Sequence, residues 1–254
     1  MTKYRFVPSF IFLFIMALGT VPAQGQEIGQ LWKFTPKMGQ GPAFEGALRN
    51  HMEFREAQGD PWDWQIYQVV VGEDVGDYYA ASWNHTWEDF DAYDAFEGGA
   101  SLSAHFQATA GSTLEDMTTL ITDGSQGIKK LPEDPNYEVN LINVTDFYLL
   151  PGKQQSFNEA LMKIDEAIKG ANMPFYYMSD LPVTGTSGPV YSIAGLSSSW
   201  AEFADPDPSM EQVMVEAYGE EEAMEIFTAF SEAIHHTESF VVRYRADLSN
   251  VSGM

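Results

Sequence analysis

The clearest periodicity in this chain lies in QQSFNEALMKIDEAIKG, where Phe157, Leu161, Ile164 and Ile168 recur at spacings of four, three and four. That stripe predicts a helix laid on a sheet with its polar residues turned outward. An earlier segment, PAFEGALRNHMEFREAQ, places Phe44 and Leu48 at the same phase. Around each helix, short runs rich in β-branched and aromatic residues predict strands. These are QLWKFTP and VTDFYLLP before the helices, WDWQIYQVVV and FYYMS after Pro61 and Pro174, and then DYYAASW and VYSIAGL. Gly59 and Gly170 suit the C-terminal caps of the two helices. Further helical regions are expected at about 112–121 and 220–236, and a last strand at SFVVRYRADL. Its first-half counterpart is obscure, with QGIKKL the place where it is expected.

The two series of elements are in register. Trp87-Glu88-Asp89-Phe90 returns as Trp200-Ala201-Glu202-Phe203, an offset of 113 positions. At that offset Phe34 falls on Phe147, Phe44 on Phe157, Ala47-Leu48 on Ala160-Leu161, Pro61 on Pro174 and Tyr78 on Tyr191. No gap is needed between Phe34 and Phe90, and the matched positions are mostly large apolar or turn-forming residues. The pattern reads as a duplicated domain. Each copy has the order β-α-β-β-α-β, a ferredoxin-like unit of class α+β, at 26–135 and 136–254, joined by LPEDPNYE. The repeated Trp and Phe are expected to anchor the segment after the third strand against the helix layer.

Residues 1–25 stand apart. Lys3 and Arg5 precede an apolar run from Phe6 to Leu18, and small residues follow at Ala23 and Gly25, which reads as a signal peptide cleaved after one of these two. The expected destination is secreted or periplasmic, in a bacterium, with no membrane attachment after cleavage. Without Lys3 and Arg5 the chain has 11 basic residues against 37 acidic ones, a balance of −26. Such a charge disfavours nucleic acid and anionic lipid as partners. With no cysteine, disulfide, thiol and thiolate–metal chemistry are all excluded.

A duplicated domain supplies its own control, because polar residues in one copy at apolar positions of the other ask for a reason besides packing. His51 stands where the second copy has Ile164, and Arg55 where it has Ile168, both continuing the Phe44–Leu48 stripe. Burying them costs free energy unless a partner or a polar cavity meets them; Asp60 or Asp63 could pair with Arg55. His51 could move a proton and Arg55 could neutralise negative charge on a ligand. At the end of the third strand, Trp83, Asn84 and His85 replace Leu196, Ser197 and Ser198. With Trp62, Trp64, Tyr67 and Tyr79 from the neighbouring strands they form a candidate ligand-binding set, and any site belongs mainly to the first copy. His235-His236 is expected at the exposed end of the last helix. No GxSxG, HExxH, phosphate-binding glycine loop or zinc pattern is present, so no metal ligand is assigned and hydrolase or nucleotide chemistry is disfavoured.

Two tandem ferredoxin-like units with aromatic-rich sheets resemble the dimeric α+β barrel superfamily, which includes antibiotic-biosynthesis-monooxygenase-like, EthD-like and NIPSNAP-like proteins. The resemblance spans about 26–250 in topology and texture, and carries no catalytic motif. It implies an intrachain barrel formed by the two units. It also implies a choice among roles, since the superfamily holds cofactor-free monooxygenases, haem-degrading enzymes, isomerases and proteins of no known activity. The reading that follows is a small apolar or aromatic molecule bound in a first-copy cavity, with oxygenation lacking a bound cofactor as its enzymatic form. There His51 is the base, Arg55 the charge stabiliser, and Asn84 and His85 orient the ligand. The opposing readings are a non-catalytic stress or interaction module, and haem held by His51 or His85.

Overall fold

The computed structural model describes residues 27–125, 127–134, 136–184 and 188–251; the expected leader lies outside them. The first half runs β1 (Ile28–Pro36), α1 (Gly41–Gln58), β2 (Gln65–Val71), β3 (Tyr78–His85), α2 (Trp87–Asp94), α3 (Gly99–Thr109) and β4 (Leu114–Asp123). After a two-residue β5 (Lys129–Lys130), the second half runs β6 (Leu141–Leu149), α4 (Gln154–Lys169), β7 (Phe175–Thr184) and β8 (Val190–Ser197). It ends with α5 (Met210–Tyr218), α6 (Glu220–Glu232) and β9 (Ile234–Tyr244).

The strands form one antiparallel sheet in the order β4-β1-β3-β2-β9-β6-β8-β7-β5, and β4 also pairs with β7. The ends of the sheet therefore meet, and β2 beside β9 joins the halves on the other side. Such closure leaves the long strands without a free edge. The α+β class is as expected. β1 and β6 begin 113 residues apart, as do α1 and α4, but β4 and β9 begin 120 apart, at Leu114 and Ile234.

Four expectations are corrected. The segment expected as a helix at 112–121 is mostly β4, because Thr118, Thr119, Ile121 and Thr122 favour a pleated surface and pair along β1. It is therefore β4 that ends the first half, whereas the QGIKKL region supplies only β5 against β7. In the second half α6 stops at Glu232, so His235 and His236 lie on an exposed strand rather than at a helix end. The repeated Trp phrase behaves differently in its two places. In the first half it opens α2, capped by Thr86 and Asp89 in a reciprocal capping box, whereas in the second it forms a single 3-10 turn. Trp87 is 37% exposed and Trp200 48%, so neither indole is a buried anchor. Gly59 caps α1 in the left-handed region (φ 69°), but Gly170 is right-handed.

Strand alternation sorts the sheet residues into layers. Phe34, Trp64, Ile66, Tyr78 and Ala80 face α1 and α3, where Phe44, Leu48, Met52 and Phe106 complete a core. The opposite face of the same strands carries Tyr67, Val69 and Ala81, packed with Val242 of β9 and flanked by Leu31, Tyr79, Trp83, Ile142 and Phe240. A third core, around Phe157, Leu161, Ile164, Ile168 and Met214, lies under the second-half helices. Beyond β9 the chain crosses back to the first half. Leu248 enters its core, Trp64 and Asn250 exchange backbone hydrogen bonds (2.6 and 2.9 Å), and Ser249 Oγ accepts from the Ile66 amide at 2.9 Å.

One half-buried acid sits badly. Asp146 on β6 has an Oδ1 with no hydrogen-bond partner among the described residues. Burial, and then Glu238, push its carboxyl up to about 6 despite a hydrogen bond from Ser192. A folded-state pKa above the unfolded value means the native state holds the extra proton, so this group's contribution to stability falls as pH rises from about 4 to 6. Asp146→Asn is expected to raise stability at pH 7 by on the order of 1–3 kcal/mol and to change it little at pH 4. Urea unfolding at both pH values checks this; an equal effect at the two would refute it.

Candidate functional site

The polar residues on the inward face of α1 meet a cavity of about 120 Å³ between α1, α3 and the sheet. Phe34, Leu48, Trp64 and Phe106 form much of its wall, with His51 and Arg55 as polar members and Ser103, Gln107 and Met117 on the more exposed side. His51 and Arg55 are one helical turn apart, so the Phe44–Leu48 stripe carries both inward.

A hydrogen-bonded network fixes them. Arg55 Nε donates to His51 Nε2 at 2.9 Å, and His51 Nδ1 lies 3.2 Å from Nδ1 of His105 on α3. Because the guanidinium is always a donor, His51 carries its proton on Nδ1 and donates it toward His105. Arg55 Nη1 donates to Asp60 Oδ2, in an ion pair whose carboxylate is fully buried, and to the Tyr93 hydroxyl at 3.0 Å. Asp60 also accepts from Trp64 Nε1 (3.2 Å) and the Trp62 amide (3.1 Å). The guanidinium lies 4.7 Å above the Trp64 ring. Among the described residues Arg55 Nη2 has no hydrogen-bond partner.

Burial first, then the positive charge of Arg55, hold the His51 imidazole down to about 3, so it is neutral under ordinary conditions. Its folded pKa lies below the unfolded value, so between pH 6.5 and about 3 only the unfolded chain takes the proton. Stability is then lost on acidification through that window, at up to about 1.4 kcal/mol per pH unit. Relative to the wild type, His51→Ile is expected to flatten the stability–pH curve between pH 6 and 4. Parallel curves in paired denaturation series would rule this out.

The remaining candidates divide by face. Trp62 is buried next to the network, sandwiched between Tyr93 (centroids 4.0 Å apart) and His85 (3.8 Å). His85 Nε2 is 2.7 Å from Ser82 Oγ, and burial lowers the pKa of this ring. Tyr67, Tyr79 and Trp83 lie on the opposite face of the sheet, away from the cavity, with Tyr67 directly across from Tyr79. Asn84 is exposed and left-handed (φ 64°) at the strand end. The structure thus brings together His51, Arg55, Trp64 and, one layer out, Trp62 and His85. The sequence reading left out His105 and Tyr93, and named Asp60 only as a partner for Arg55. At the 113-residue offset of the sequence pattern, His51, Arg55 and Asp60 fall on Ile164, Ile168 and Met173, all in the apolar core under α4.

Haem does not fit these residues as they stand. Both His51 nitrogens are engaged, His85 is stacked flat on Trp62, and the cavity is far smaller than a porphyrin. Among the described residues no group of three or more metal-ligating side chains occurs, and no helix is long and apolar enough to cross a membrane.

Neither a protein-family model nor a curated protein sequence matches the chain. Solved structures do. An anthrone oxidase-like protein superposes with a TM-score of 0.55 at 14% identity, covering 92% of this chain and 99% of its own. A candidate monooxygenase from Lactobacillus acidophilus NCFM gives 0.53 at 9% identity, over 90% and 97%. A chlorite dismutase variant from Candidatus Nitrospira defluvii gives 0.50 at 9% identity, over 89% and 93%. At such identities the likeness is one of fold alone.

Proposed function

We propose that the chain is a secreted, internally duplicated barrel protein whose first half binds a small apolar or aromatic molecule in the cavity beside Arg55. One observation carries this reading: three residues that are apolar core in the second half are, in the first, a connected His–Arg–Asp set at a cavity wall. Packing alone would be served as well by the apolar set, since an ion pair removed from water gives little net stability. In this reading His51 is a positioning residue. It accepts from Arg55 and holds it in place, and its low proton affinity makes it a poor base at neutral pH.

The enzymatic form of the reading is cofactor-independent oxygenation, in which Arg55 stabilises negative charge developing on the ligand's oxygen. It is in keeping with a fold shared with a candidate monooxygenase and an anthrone oxidase-like protein. The test is mass spectrometry of small molecules extracted from purified protein, together with the response of tryptophan fluorescence to added toluene. A co-purifying aromatic, or a saturable fluorescence change that is lost on filling the cavity with Ala80→Phe, is expected. Neither signal, in protein shown to be folded, would leave the non-catalytic interaction module as the better reading.

A further inference from the structure

The charge balance around Arg55 narrows what the cavity can hold. Its guanidinium is already neutralised by Asp60, whose carboxylate is wholly buried and fixed by the Trp62 amide and the Trp64 indole. His51 is neutral. The polar wall therefore carries no net charge, although it keeps donor capacity: Arg55 Nη2 is without a partner among the described residues, and Ser103 and Gln107 line the same cavity. An anionic ligand would bring one uncompensated charge against a largely apolar, half-open cavity wall, in a chain whose formal net charge is −24. A ligand with no acceptor would leave Nη2 unsatisfied beside it. The volume of about 120 Å³ is close to that of an engineered apolar cavity, about 150 Å³, that takes benzene.

From this we infer that the cavity selects a neutral aryl carbonyl compound, with a ring of about benzene size against the wall formed by Phe34, Trp64 and Phe106 and its carbonyl oxygen accepting from Arg55 Nη2. The inference rests on the ligand-binding reading above and adds the chemical class. A hydrogen bond from a charged donor to the carbonyl distinguishes such a compound from a bare hydrocarbon, and the absence of net charge distinguishes it from a carboxylate.

The probes are acetophenone, toluene and benzoate, titrated against the full chain by Trp fluorescence and by calorimetry. Acetophenone is expected to bind about tenfold or more tightly than toluene, with benzoate weaker than both. In Arg55→Ile/Asp60→Ala, which gives these two positions apolar side chains as in the second half, acetophenone and toluene are expected to bind alike. Toluene equal to acetophenone in the wild type, or benzoate as tight as acetophenone, overturns the inference while leaving a small-molecule cavity in place. No binding of any of the three overturns both the inference and the reading beneath it.

Discussion

Asp60→Ala is expected to lower the unfolding free energy by about 3–5 kcal/mol, because it strands a guanidinium in the interior. Arg55 is only 15% exposed in its side chain, and Asp60 is its sole carboxylate partner among the described residues. The same substitution leaves the Trp64 indole N–H and the Trp62 amide without their acceptor, and each such loss adds to the cost. Arg55→Ile alone is expected to be milder, since it leaves a buried carboxylate that still accepts from both tryptophans and from Tyr93 at 3.4 Å. The double substitution should recover much of the loss, giving a coupling of more than 1 kcal/mol in a double-mutant cycle. Denaturant unfolding of the four proteins decides the matter. Additive effects would mean that the ion pair seen between these residues does not hold the site together.

Cutting the chain after Arg245 should be at least as damaging. The crossing segment contributes Leu248, 1% exposed, to the first-half core and pairs its backbone with Trp64, a wall of the cavity. Leu248→Ala alone is expected to cost about 2–5 kcal/mol, as other buried leucine truncations do. The truncated chain loses that side chain, the Ser249 bond to Ile66 and the Asn250 pairing with Trp64. Red-shifted tryptophan emission and loss of toluene binding should accompany the lower stability. If the truncated protein kept its cavity ligand and its midpoint, the tail would be an ornament on a first half that is complete without it.

Much of this was legible in local pattern. The i, i+4 placement of His51 and Arg55 on an apolar stripe put both on the inward face of α1, and a helix preserves that relation whatever it packs against. Strand alternation likewise held Trp62, Trp64 and Ile66 to one face, and it could have warned that Tyr67 lies on the other. Weak local signals failed where pairing decided the outcome. The stretch 114–123 has helix formers among its threonines, and only the long run of partners on β1 makes it a strand. Asn84, read as a ligand contact from its neighbours in sequence, is placed in solvent by a left-handed backbone at the strand end.

The sequence by itself marked the helices α1 and α4, the strands that flank them, and the side of α1 that carries His51 and Arg55. Those follow from side-chain spacing, and spacing is a property of neighbours along the chain. Only the tertiary structure decided that β4 meets β7, that the C-terminal segment returns to seal the first core, and that His105 and Tyr93 complete the network at Arg55. His105 lies 54 residues from His51 and Tyr93 lies 38 from Arg55. Contacts at such separations depend on how whole layers pack, and no periodicity in the chain encodes them.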